Sequence, residues 1–150
     1  MNSKLLLASL KTQELNMSQL IESLETQKRA IVNNDYTSLE EAIGKEQLIL
    51  RKIEQEEASR IKLIRDIAKQ FNLNLNSHSL DDLLSKGARY FESDVKEIMT
   101  YRKSLKTKIE YILKTNTQLK DVIEFSRNII KETMMMIAGP SKRAIVNKRV

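Results

Sequence analysis

Few residues of this chain are of the kinds that do acid–base or covalent chemistry, and helix formation accounts for most of them. The one histidine, His78, lies in the stretch Asn74-Leu75-Asn76-Ser77-His78-Ser79 with no acid immediately beside it. An imidazole in that setting reads as a solvated loop residue rather than a general base. Asp81-Asp82 has the look of a carboxylate pair, but both acids sit where a short helix begins and offset its positive end. Glu54, Glu56 and Glu57 read as a solvated helix face, with Lys52 and Arg60 within one turn of Glu56. The chain has no Cys, which excludes disulfides, thiolate metal sites and Cys nucleophiles. It also has no Gly-rich phosphate loop, no His-Glu-x-x-His and no Ser/His/Asp set in a recognisable context. The expectation is a protein that is not an enzyme, with no catalytic, cofactor-binding or metal-binding residue and no cofactor.

The informative surplus is apolar and lies late in the chain. Leu119, Ile123, Ile130 and Ile137 make a helical seam, and Val122, Ile129, Met134, Met135 and Met136 fall off it. A single partner helix cannot cover both sets, because adjacent helical residues point about 100° apart. Three consecutive methionines suit a surface that re-packs around different amphipathic ligands, since Met is flexible and polarisable. Two readings stand: a client-binding surface, or core of a four-helix arrangement or a dimer.

These residues need long helices to carry them. Only three Gly and one Pro occur, with aromatic residues at 5% and charged residues at 31%, a mix that suits two-faced helices and not a sandwich or barrel. Leu10, Met17, Leu24 and Ile31 recur every seven residues, which predicts a helix over about 3–33. Asn33-Asn34-Asp35 stops it, because Asn and Asp favour caps and turns. Thr37 and Glu40 have capping-box spacing and start a second helix, about 37–71, with a stripe through Tyr36, Leu39, Ile43, Leu50, Ile53, Ile64, Ile67 and Phe71. So short a connection makes the pair an antiparallel hairpin. Gln13, Gln27, Glu46, Glu57 and Asn116 interrupt the heptads and loosen the seam.

Ser79 and Asp82 predict a short helix, 80–86, ending at Gly87. A last helix is predicted over 88–138, ~75 Å if unbroken, or bent near Lys114 to Gln118, where β-branched and amide residues weaken helix propensity. Gly139-Pro140 ends it. The expected fold is all-α: an N-terminal hairpin, a connecting helix and one long C-terminal helix in an elongated bundle. The expected organisation is one domain over 1–138 and a flexible basic tail over 139–150.

Net charge is +6, and Lys142, Arg143, Lys148 and Arg149 of that tail carry much of it. The body interleaves both signs, so no basic stripe predicts nucleic-acid binding. Lys4 followed by Leu5-Leu6-Leu7-Ala8 is too short for a secretory signal, and Met134 to Ala138 is far below a membrane span. A cytoplasmic protein without stable membrane insertion is expected.

The order of these parts resembles the FlgN-type flagellar export chaperones. The resemblance rests on Leu20-Ile21-Glu22-Ser23-Leu24-Glu25, then Asn34-Asp35-Tyr36-Thr37-Ser38-Leu39-Glu40-Glu41-Ala42, then Lys45 to Glu54. It continues through Ile109, Leu113, Asn116, Leu119, Ile123 and Ile130 and covers nearly the whole chain. It implies a chaperone that holds the terminal helical segment of hook-associated (hook–filament junction) proteins. Such a chaperone prevents premature assembly or aggregation and delivers its client to export-gate or ATPase components of the type III apparatus. It also implies a client site in the C-terminal helical region, here about 116–137. Within it the apolar reading of the residues makes Asn116, Leu119, Val122, Ile123, Ile129, Ile130, Met134, Met135, Met136 and Ile137 the candidates. Met134-Met135-Met136 and the basic tail match no motif of the family. The alternative is a self-associating coiled coil or helical adaptor without an export client.

Overall fold

In the computed structural model, which describes residues 2–138, every regular element is helical. Helix α1 spans Asn2–Val32, α2 Tyr36–Gln70, α3 Leu80–Gly87 and α4 Asp94–Ala138, with a 3-10 turn at Ala88–Tyr90 between the last two. The expected tail, 139–150, lies outside the described residues. The chain divides into two compact units, Met1–Ile112 and Leu113–Val150. The first holds α1, α2, α3 and the beginning of α4.

Asparagine ends both long helices of the hairpin. Asn34 has φ 53° and Asn72 φ 54°, a left-handed conformation that Asn tolerates better than most residues. At the end of α1, Asp35 N–H donates to the Ala30 carbonyl at 2.8 Å and Asn34 N–H to Ile31 at 3.2 Å. At the end of α2, Leu73 N–H donates to Ala68 at 2.8 Å and Asn72 N–H to Lys69 at 3.3 Å. Both are Schellman closures, which satisfy carbonyls a helix end leaves orphaned. The turn after α1 delivers Asp35 as the residue that re-enters helix. Its carboxylate accepts from Ser38 N–H at 3.1 Å and from the Ser38 hydroxyl at 2.6 Å. The cap of α2 is therefore Asp35, and not Thr37 with Glu40.

α1 and α2 pack as the expected antiparallel hairpin. The predicted α2 stripe holds at its end, where Ile64 and Ile67 are buried, but the first half of α2 is rotated relative to it. There Tyr36, Ile43 and Leu50 are exposed, while Ala42 and Ile49 are buried. The small side chain of Ala42 permits a close approach, and the Ser23 hydroxyl donates to the Ala42 carbonyl at 2.9 Å. Several positions that break the heptads are rungs of a polar ladder. Gln13 Nε2 donates to the Ile53 carbonyl at 3.2 Å and Gln27 Nε2 to Glu46 Oε2 at 2.7 Å. The Ser9 hydroxyl donates to Glu56 at 2.6 Å, and Asn16 Nδ2 to Gln13 at 3.1 Å. Ser9, Gln13, Asn16, Ser23 and Gln27 are all buried, so the ladder satisfies groups whose burial would otherwise cost free energy.

The apolar core gathers where the start of α1, the end of α2, α3 and the start of α4 meet. Leu6, Leu7, Leu10, Ile64, Ile67, Leu83, Leu84, Phe91 and Ile98 form it. Phe71 and Tyr90 stack beside it with ring centroids 4.3 Å apart. A Cβ on Gly87 would meet Leu73 Cδ1 at 2.8 Å, so this glycine permits the close approach of α3 to the loop after α2.

The last helix starts at Asp94 and not at Ala88. Phe91 turns into the core and Glu92 takes φ 51°, which no helix interior allows. Asp94 then anchors the start of α4 to α1, accepting from the Ser3 hydroxyl at 2.9 Å and from Lys4 Nζ at 3.1 Å. Farther along, the Tyr111 hydroxyl donates to the Glu25 carboxylate. From Asp94 to Ala138 the helix has no interruption, including over Lys114 to Gln118. Among the described residues, no helix is long and apolar enough to cross a membrane.

Gly44 lies inside α2, exposed, with nothing within 4 Å of an added Cβ. Gly44→Ala should therefore raise unfolding stability by about 0.5–1 kcal/mol, read from the urea midpoint. The Lys4 and Ser3 side chains hold the Asp94 carboxyl below its ordinary 3.8. The unfolded chain thus binds the proton more readily. The contribution of Asp94 is complete above that value and is lost as pH falls through it toward the folded value. Asp94→Asn should be less stable than the parent at pH 7, and the two should converge in acid, as urea titrations across pH would record.

Candidate functional site

The residues that looked most like chemistry are occupied in holding the first unit together. Asp82 N–H donates to the Ser79 hydroxyl at 3.1 Å, which caps α3 as predicted. The Asp82 carboxylate turns back and accepts from Asn76 N–H at 2.6 Å and Ser77 N–H at 3.1 Å, which holds it below its ordinary value. Asp81 is held low by Arg102 of α4, whose Nη2 donates to Oδ2 at 3.0 Å. The two carboxylates thus have separate partners and share no proton. His78 is exposed, and its backbone carbonyl accepts from Arg60 Nη1 at 3.2 Å. The glutamates are divided too: Glu57 pairs with Arg60 and Glu56 with Ser9 of α1. Glu54 is exposed.

A groove of about 460 Å³ lies in the first unit. Leu10 and Met17 of α1, Leu80 of α3 and Leu105 and Ile109 of α4 line it. Charged residues, Glu57, Arg60, Asp81, Arg102, Lys106 and Glu110, share its lining, so no apolar periodicity marks it.

The second unit carries the candidate client residues. Leu119 is only 5% exposed and Thr115 is also buried, whereas Val122 is 43%, Ile129 46% and Met136 88% exposed. Asn116, Met135 and Ile137 are exposed too, and Met134 is half-buried. The side chains of Ile123 and Ile130 lie outside the described residues. Phe125, 66% exposed, belongs with this set although the surplus apolar count omits it. Positions 122, 125, 129 and 136 fall within a stripe about 60° wide on a helix. Val122, Phe125 and Ile129 therefore make one apolar face, and Met136 lies on the same side two turns farther, beyond the exposed Glu132 and Thr133. Met135 points about 100° away from Met136, and Leu119 and Ile137 lie toward the opposite edge.

Phe125 was legible from its i+3 spacing after Val122 and its i−4 spacing before Ile129. The seam through Leu119 and Ile123, on another side of the helix, masks that signal. Chemically, this face can bury an apolar stripe of another helix. Exposed aliphatic and aromatic residues at helical spacing, concentrated on one side, mark an interaction surface more than scattered single residues would.

A family model described as FlgN protein matches residues 1–146, nearly the whole chain. No curated protein and no solved structure matches.

If the face is free of structural duty, Phe125→Asp with Ile129→Asp should leave helicity and the urea midpoint within about 0.5 kcal/mol of the parent. Leu119→Ala, at a buried position of the same helix, should instead cost about 2–3 kcal/mol. Circular dichroism and urea unfolding of the variants give both values.

Proposed function

This chain belongs to the FlgN family of flagellar export chaperones, and we propose that its clients are the hook–filament junction proteins. On this reading the chain acts in the cytoplasm. It holds the terminal helical segment of each client against the distal half of α4, so that the client neither assembles early nor aggregates, and passes it to the type III export apparatus. The observation that carries the site is the apolar face of Val122, Phe125, Ile129 and Met136, with Ile137 exposed at its margin. A terminal segment that is amphipathic presents a matching stripe, and helix-in-groove or helix-on-helix burial would cover both. A specific interface needs ~800 Å² from each partner, more than four side chains supply. Neighbours along the same side of α4 must contribute.

The absence of a deep, rigid aromatic pocket in this helix agrees with a client that has to leave again. Phe125 is its one aromatic residue beyond Tyr111. The remaining surface is aliphatic or Met, which re-packs at low cost. Self-association through the same face is the competing reading, and a second copy would compete with the client for it.

Co-expression with hook–filament junction proteins and light-scattering chromatography tests the proposal. The expected outcome is a soluble complex of defined mass that withstands removal of residues 139–150. Phe125→Asp with Ile129→Asp should weaken it at least about a hundredfold, the loss of two buried anchors of roughly 1.5–3 kcal/mol each. A stable homodimer that forms no complex with any junction protein would refute the client assignment.

A further inference from the structure

We propose that Met136 is a redox-sensitive modification site whose oxidation to the sulfoxide switches the docking face of α4 off; this rests on the client-binding reading of that face. The chain has no Cys, so its oxidisable sulfur is all thioether. Met136 is 88% exposed, which leaves its sulfur open to attack from solvent. It also lies on the same helical stripe as Val122, Phe125 and Ile129, at spacings of fourteen, eleven and seven residues. The most accessible of the described methionines thus sits on the same side as the apolar face.

The step is a two-electron oxygen transfer from a peroxide. The Met136 Sδ lone pair attacks one peroxide oxygen, the O–O bond breaks, and an S–O bond forms. With hydrogen peroxide, the other oxygen leaves as water after taking up a proton. The product is a chiral, polar sulfoxide in place of a flexible apolar side chain. A group that has to lose its water to let the client dock then opposes burial. The change is reversible by methionine sulfoxide reductases, one for each sulfoxide epimer, at the expense of a thiol reductant.

Other methionines provide internal controls. Met99 is exposed in the first unit, away from the stripe, and Met17 is half-buried in α1. Met135 is exposed but points off the face, and Met134 is half-buried. Accessibility predicts that Met136 oxidises first, Met99 and Met135 next, and Met17 and Met134 last.

The test treats the full chain with graded hydrogen peroxide and maps each sulfoxide by peptide mass spectrometry. Affinity is then measured for a synthetic peptide of a junction protein's terminal helical segment. Binding should weaken about tenfold, the equivalent of one apolar anchor, in step with the Met136 sulfoxide fraction. Both reductases together should restore it. Whatever its starting affinity, Met136→Leu should keep that affinity through peroxide treatment, Met136→Gln should bind weakly without treatment, and Met99→Leu should behave as the parent. Binding that is unchanged in the oxidised chain, or lost in step with Met99 or Met17 instead, would overturn the switch while leaving the docking face intact. If the untreated chain does not bind the peptide, the docking reading fails and the switch falls with it.

Discussion

Packing of aliphatic side chains at one end of the hairpin is the constraint on which the first unit depends. With aromatic residues so scarce, no large ring dominates, and stability has to come from Leu and Ile drawn from every element. Leu6 and Leu10 of α1, Ile64 and Ile67 of α2, Leu83 of α3, Phe91 and Ile98 all reach the same cluster. The segments that supply them lie far apart in sequence, so the cluster closes only when the start of α1 meets the end of α2. The Asp94 anchor to Ser3 and Lys4 and the Asp81 pair with Arg102 then orient α4 at its start. Surface ion pairs of this kind add little free energy alone, but they select one direction for a helix that the core has already captured.

The hairpin illustrates what sequence patterning shows and what it hides. Heptad spacing, the Asn/Asp turn and the scarcity of Gly and Pro are local properties, and they revealed the all-α fold and the ends of α1 and α2 to within a residue or two. The rotation of α2 was hidden. It depends on Ala42 and Ser23 allowing two backbones to approach, a fact about a pair and not about either helix. The break before α4 was missed for a related reason: Phe91 continues the apolar period, so the stripe reads through a turn in which Glu92 adopts a left-handed backbone. In hindsight, Glu92-Ser93-Asp94 is a run of residues suited to a helix start, and its signal was weaker than the periodicity around it.

On distal α4, spacing revealed an apolar surplus and could not sort covered positions from open ones. Leu119 and Val122 are near neighbours of similar character, yet one is buried and the other exposed. That distinction is three-dimensional. It shifts the exposed apolar positions from the seam toward Val122, Phe125, Ile129 and Met136.

The ladder of Ser9, Gln13, Asn16, Ser23 and Gln27 has a consequence for misfolding. A purely aliphatic seam between two long helices would tolerate slippage by a heptad, since one Leu replaces another at little loss. Here the rungs recur at heptad spacing but their partners differ. A slip of one heptad would set Ser9 against Ile49 or Leu63 in place of Glu56, and Gln27 against Leu39 or Ile53 in place of Glu46. That strands a hydroxyl and an amide against apolar side chains. Alternative alignments are thus penalised more heavily than the native one is rewarded. The polar rungs act like the wards of a lock, admitting a single fit between two otherwise interchangeable surfaces.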